Sequence, residues 1–145
     1  MKSPLIQKLN QNVSDLQILY VKLHNYHWNV SGPQFLPVHN LTESYYEHVA
    51  ELYDAVAERI LQLGEKPFAT VAEYLANAQI KEESQNRFSA EEVLENIAQD
   101  FDYLLTAYKE ILAVAEKEKD STTGNLAADA IDWLEKAVWV LKSSK

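Results

Sequence analysis

One apolar stripe constrains this chain more than any other feature. From about Phe35 to Leu63, the residues Val38, Leu41, Tyr45, Val49, Leu52, Val56, Ile60 and Leu63 recur at spacings of three and four. That is the period of an α-helix. Gly64 follows directly and suits the left-handed residue beyond a helix C-terminus. At ~1.5 Å per residue such a helix is about 43 Å long, a length that belongs to bundles rather than small mixed folds. Three glycines and four prolines in 145 residues leave little turn material. A sandwich or barrel of many short strands is thereby excluded.

The rest of the chain repeats the pattern. Ser3-Pro4 opens a first helix, with Ser3 as N-cap and Pro4 in the first turn. Its stripe is Leu5, Leu9, Val13, Leu16, Tyr20, Leu23 and His27, stopped by Ser31-Gly32-Pro33. Ser89 and Glu92 form a capping box ahead of a third long helix carrying Val93, Ile97, Phe101, Leu104, Tyr108, Ile111 and Ala115. That stripe fades through Glu116–Asp120. A fourth long helix starts near Thr122 and shows Leu126, Ala130, Trp133, Ala137 and Leu141. Residues 65–88 form a connection too long to be structureless in a compact domain. A short helix is expected inside it over Val71–Ala78, followed by a polar loop over Lys81–Arg87. Tight turns near residues 32 and 120 make their neighbours antiparallel, while the long connection crosses the bundle from end to end. The expectation is one all-α domain spanning residues 1–145, a four-helix bundle with one long crossover between its second and third long helices.

Charge and composition narrow the partners. The formal charge of −9 argues against a generic binder of nucleic acid or of anionic membranes. The absence of cysteine excludes disulfides, zinc–thiolate sites and thiol nucleophiles. No apolar run approaches the ~20 residues that span a bilayer. Met1-Lys2-Ser3-Pro4-Leu5 lacks the apolar core of a signal peptide, so a cytoplasmic address is the default expectation.

The chemistry concentrates between His27 and Glu58. Beside its apolar stripe the second helix carries His39, Glu43, Asp54 and Glu58. At ~100° per residue these four share an arc of ~100°. A solvated face looks the same, but His39/Glu43 and Asp54/Glu58 are both i,i+4 pairs, each able to point at one ion. Glu43 and Asp54 lie ~16 Å apart along the helix, so one chain cannot wrap both pairs around one metal. The pairs are nevertheless symmetric about the point between His48 and Val49. A second copy laid antiparallel on a two-fold axis there brings His39/Glu43 of one chain to Asp54/Glu58 of the other. Two equivalent sites then form per dimer.

If His27 joins from the end of the first helix, the set is two imidazoles and three carboxylates, although a lone histidine at a helix end is more often structural. Nitrogen and carboxylate donors suit iron(II) and related first-row ions. Bundles that hold a di-iron site within one chain carry Glu-x-x-His. None of His24, His27, His39 and His48 has Glu three residues before it, which argues against such a site.

Two stretches resemble a known family, the Dps-type mini-ferritins. The first is His27-Trp28-Asn29-Val30-Ser31-Gly32-Pro33 followed by Val38-His39 and Glu43; the second runs from Tyr53-Asp54 through Glu58-Arg59 to Leu63-Gly64 and Pro67. The likeness is strong over residues 13–77 and architectural from about residue 89 onward. It implies a ferritin-like four-helix bundle assembled into a hollow homododecamer of tetrahedral symmetry. It implies an inter-subunit ferroxidase centre in which His27, His39 and Glu43 come from one chain and Asp54 and Glu58 from its two-fold partner. There iron(II) is oxidised, with hydrogen peroxide the preferred oxidant, and iron(III) is stored as mineral, which protects the cell from oxidative damage. Zinc or another divalent ion suits the same ligands. Trp28 then lies near the centre, where it can intercept radicals; an aromatic core anchor is the alternative reading.

The chain also departs from the pattern. Position 43 is more typically Asp, and Glu43 has the longer arm. Of the acids expected around the pore near the last turn, Glu116 and Asp120 are present, while Ser121 and Asn125 stand where acids often do. Some family members bind DNA through lysine-rich tails, and a nucleoid-protecting protein with little ferroxidase activity is the alternative function. Here Lys2 is the only base before Pro4 and Lys142-Ser143-Ser144-Lys145 is short, so direct DNA binding is not expected.

Overall fold

The computed structural model describes residues 3–145. Lys2, the base of the N-terminal tail, lies outside them. The described residues form helices α1 (Pro4–Asn29), α2 (Phe35–Gln62), α3 (Val71–Asn77), α4 (Ala90–Lys117) and α5 (Ser121–Ser143). The helix ends follow from local chemistry. The Ser3 hydroxyl accepts from the Ile6 amide at 3.2 Å. Ser89 and Glu92 make the reciprocal capping box. Past α2, Gly64 takes φ +86°, and its amide and that of Glu65 return to the Leu61 and Ile60 carbonyls, which closes a Schellman motif. Past α4 the same motif recurs with Lys119 at φ 59° in the left-handed place.

The four long helices pack chiefly as two antiparallel pairs, α1 with α2 and α4 with α5, and α1 also lies against α4. The core between them is formed by Leu9, Leu16, Leu23, Val49, Ile60, Phe101, Leu104, Ile111 and Leu134, among others. One expectation needs correction. On α5 the buried face is Thr123, Gly124, Ala127, Ala130, Leu134, Ala137, Val138 and Leu141, while Leu126 and Trp133 are only half-buried. Small residues line the first half of that face, where a Cβ on Gly124 would stand 3.5 Å from Leu112, and Leu126 and Trp133 sit at its flank.

The crossover contains the expected short helix and is stapled to one side of α1. Asn10 accepts from the Phe68 amide at 2.8 Å and donates to the Lys66 carbonyl. The buried carboxylate of Asp15 accepts from the amides of Gln79 and Ile80 at 2.7 and 2.9 Å. Asn25 donates to the Gln85 carbonyl at 2.8 Å, and the Tyr26 hydroxyl to Glu83 at 3.0 Å. Backbone groups of a loop must be paired somewhere, and polar residues of α1 pair these. The crossover ends in a two-residue parallel bridge, Val30 against Phe88 and Ser31 against Ser89. This bridge ties the α1–α2 turn to the start of α4 and fixes the end of α1 beside the start of α2.

Candidate metal centre

At that corner two imidazoles lock each other. The last carbonyls of a helix lack intrahelical partners. The His27 carbonyl, near the end of α1, is met by His39 Nδ1 at 2.8 Å. The His39 carbonyl, in the second turn of α2, is met by His27 Nδ1 at 2.7 Å. The two rings stack with centroids 3.7 Å apart and planes 15° apart. Phe35 covers the His39 ring at 5.0 Å, and Tyr46 stands edge-on to His27 at 5.3 Å.

A nitrogen facing a carbonyl oxygen at these distances has to be the protonated one. Each neutral ring therefore carries its hydrogen on Nδ1 and its lone pair on Nε2, the tautomer of a metal ligand. His27 Nε2 lies 3.9 Å from Glu43 Oε1, and the Glu43 side chain is 51% exposed while that of His27 is 7% exposed. Two donors each ~2.1 Å from one ion can stand up to ~4.2 Å apart, so the gap accommodates an ion.

Asp54 and Glu58 lie further along α2, both exposed. Neither makes a hydrogen bond or ion pair among the described residues. No three His, Asp or Glu residues of the described chain gather closely enough to hold a metal by themselves. A single chain thus brings His27, His39 and Glu43 to one corner and leaves Asp54 and Glu58 apart from them, as the helical spacing requires.

The flanking residues sort out as follows. Trp28 is 67% exposed, so the core-anchor reading is wrong for the single chain. Its ring lies 5.4 Å from His24. His24 donates through Nδ1 to the Tyr20 carbonyl, 2.9 Å away, and stacks on Tyr46 at 3.8 Å, so it reaches the His27 ring only through Tyr46. Burial, with Glu43 and Glu47 nearby, pushes the Tyr46 phenol up from its ordinary range. His48 stacks on Trp133 at 4.0 Å on another side of α2, away from this corner.

Arg59 is an ion-pairing residue. It donates to Thr123 Oγ1 at 2.9 Å and to Asp120 at 3.0 Å. Asp120 also caps α5 through the Thr123 amide. Burial works against its ionisation, yet Thr123 and Arg59 outweigh that and hold the carboxyl below its ordinary range. Of the two acids expected at a pore, Glu116 is therefore free and exposed while Asp120 is neutralised.

The chain as a whole is similar to known proteins. The sequence model of the ferritin-like domain family matches residues 6–144. The chain is 38% identical to a Helicobacter pylori protein named DNA protection during starvation protein, over 90% of each chain. The crystal structure of antigen TpF1 from Treponema pallidum superposes with a TM-score of 0.96 at 40% identity, covering 97% of this chain and 90% of that one. A Dps protein from Vibrio cholerae O1, described as a member of a broad superfamily of ferritin-like diiron-carboxylate proteins, gives 0.92 at 32% identity over 96% and 87%. The chain belongs to the Dps family within the ferritin-like class.

Proposed function

We propose that this chain oxidises iron(II) at a centre shared between two subunits and stores the iron(III) inside a hollow homododecamer in the cytoplasm. His27, His39 and Glu43 of one subunit and Asp54 and Glu58 of its two-fold partner hold the iron substrate. The observation that carries the reading is the His27–His39 lock, which leaves the Nε2 atom of each ring free as an acceptor, that of His27 beside the exposed Glu43 carboxylate. The unpartnered carboxylates of Asp54 and Glu58 on the same helix support it, because an exposed pair without local partners is available to a neighbouring copy.

The donor set fits iron. Carboxylates stabilise iron(III) more than iron(II) and so favour oxidation, while imidazoles keep affinity moderate and the substrate exchangeable. Zinc or another divalent ion suits the same donors. Hydrogen peroxide is the oxidant in this reading. Two iron(II) ions give one electron each, the O–O bond breaks, and two protons complete two waters. Removing iron(II) and peroxide together leaves no reactants for hydroxyl-radical formation, and the exposed Trp28 is placed to intercept radicals that do form.

Direct DNA binding is not part of the reading. Lys142 lies 3.8 Å from Asp102, Lys145 pairs with Glu95, and the chain carries −9. No helix is long and apolar enough to cross a membrane among the described residues. The test is anaerobic iron(II) oxidation with added peroxide, followed by iron(III) absorbance and by iron retained on a large assembly. A stoichiometry near two iron(II) per peroxide is expected; oxidation no faster than in buffer by an intact assembly overturns the proposal.

A further inference from the structure

We propose that Thr42 is a positioning residue for His27, fixing the direction of its Nε2 lone pair; the inference rests on the metal-binding reading above. Thr42 is fully buried on α2, one position before Glu43. Its Oγ1 lies 2.9 Å from the Val38 carbonyl and 3.0 Å from the His39 carbonyl. Both are acceptors, so the hydroxyl hydrogen points to one of them and an oxygen lone pair is left over. His27 Nδ1 is 3.2 Å from that oxygen and 2.7 Å from the His39 carbonyl.

The His27 N–H therefore sits in a fork of two acceptors, one on the backbone and one on a side chain. His39 has no such fork: its Nδ1 meets the His27 carbonyl alone. The consequence lies in the ring's rotation. Turning the His27 imidazole half-way round about Cβ–Cγ presents a C–H to both oxygens and breaks both bonds at once. Nothing replaces them, because the hydroxyl is sealed from solvent and an unmade buried hydrogen bond is costly. Two acceptors hold the ring's swing more tightly than one. They also withdraw the Nδ1 hydrogen and raise the basicity of Nε2. Val38, which faces the core, anchors the hydroxyl from the turn below, so the position of Thr42 is set by the helix itself.

Packing alone predicts a different outcome on substitution. Valine has the shape of threonine without the hydroxyl, and serine keeps the hydroxyl without the methyl. The experiment titrates the assembled wild-type, T42V and T42S proteins with cobalt(II), reading visible absorption, alongside thermal unfolding. The expected result is that T42V weakens cobalt binding roughly tenfold or more, the size typical of groups that orient a ligand, with unfolding unchanged, while T42S binds as wild type. T42A takes the place of T42V if the valine variant does not assemble. Wild-type affinity in T42V, or equal impairment in T42V and T42S, overturns the role of Thr42 while leaving the metal site standing. A wild-type protein that takes up no cobalt overturns both.

Discussion

The Tyr103 hydroxyl donates to Asp15 at 2.6 Å, so α4 grips the same carboxylate that holds the crossover through the amides of Gln79 and Ile80. One buried side chain joins the two halves of the bundle and the segment between them. Burial and the Asp15 carboxylate together push the Tyr103 phenol well above its ordinary range, so the hydroxyl keeps its hydrogen and donates. Asp15→Ala leaves two amides and a phenol without their acceptor. The expected cost is roughly 3 kcal/mol or more. Hydrogen exchange should accelerate first at Gln79 and Ile80; unchanged protection there would show that Asp15 is not the staple.

At the proposed centre, Asp54→Ala combined with Glu58→Ala removes the two carboxylates supplied to the neighbouring subunit. Iron oxidation is expected to drop to the rate in buffer while size-exclusion chromatography still finds the full assembly. Undiminished oxidation in the double variant would move the centre elsewhere even though the family stands.

Glu43 carries its carboxylate on a two-methylene arm. Its carboxylate already reaches to 3.9 Å from His27 Nε2. Glu43→Gln keeps the arm and removes the charge, and it is expected to weaken iron(II) binding by about tenfold with little change in thermal unfolding, since the side chain is half in solvent. Isothermal titration with zinc(II) measures the same loss without redox chemistry.

Lys119 occupies a left-handed backbone position, φ 59°, that costs a residue with a Cβ roughly 1–2 kcal/mol. Lys119→Gly is expected to stabilise the protein by about 1 kcal/mol, less the extra freedom glycine gains when unfolded. A lowered unfolding midpoint would mean that the lysine side chain contributes something the backbone strain conceals.

Asp120 governs part of the acid limb. Its folded pKa lies below the ordinary aspartate value, because Thr123 and Arg59 outweigh the effect of burial. The stabilisation is therefore present above the unfolded pKa and is lost as pH falls through the folded one. Asp120→Asn keeps a good N-cap but not the charge facing Arg59. The variant is expected to be less stable at neutral pH and to converge on wild type in strong acid, as thermal melts across that range will reveal.

Much of this was legible in the sequence because helix ends are written locally. Ser3-Pro4, the Ser89/Glu92 box and Gly64 each act within one turn, and each sits where the chain implied. The buried face of α5 was misjudged because Gly124, Ala127 and Ala130 pack by being small, which apolar periodicity weighs lightly beside a tryptophan. Asn10 and Asp15 gave no signal, since their partners are backbone amides and carbonyls far along the chain. At the centre, helical spacing announced the separation of Asp54 and Glu58 from His39 and Glu43. The ring-to-carbonyl exchange of His27 and His39 was not readable, because it depends on how closely the turn at Gly32 returns, and Thr42 lies outside the apolar stripe and the charged one, so nothing in the pattern marked it.

All of the proposed donors lie on the first helical hairpin. The exchange between His27 and His39 closes a loop of only a dozen residues, and short loops cost little entropy to close. Contacts so local form early, before the crossover or the second hairpin has been organised. A nascent chain emerging from the ribosome would thus carry a finished half-centre when barely half of it had been synthesised. What the later helices decide is not the ligands but the meeting: whether, and at what angle, one such hairpin finds another.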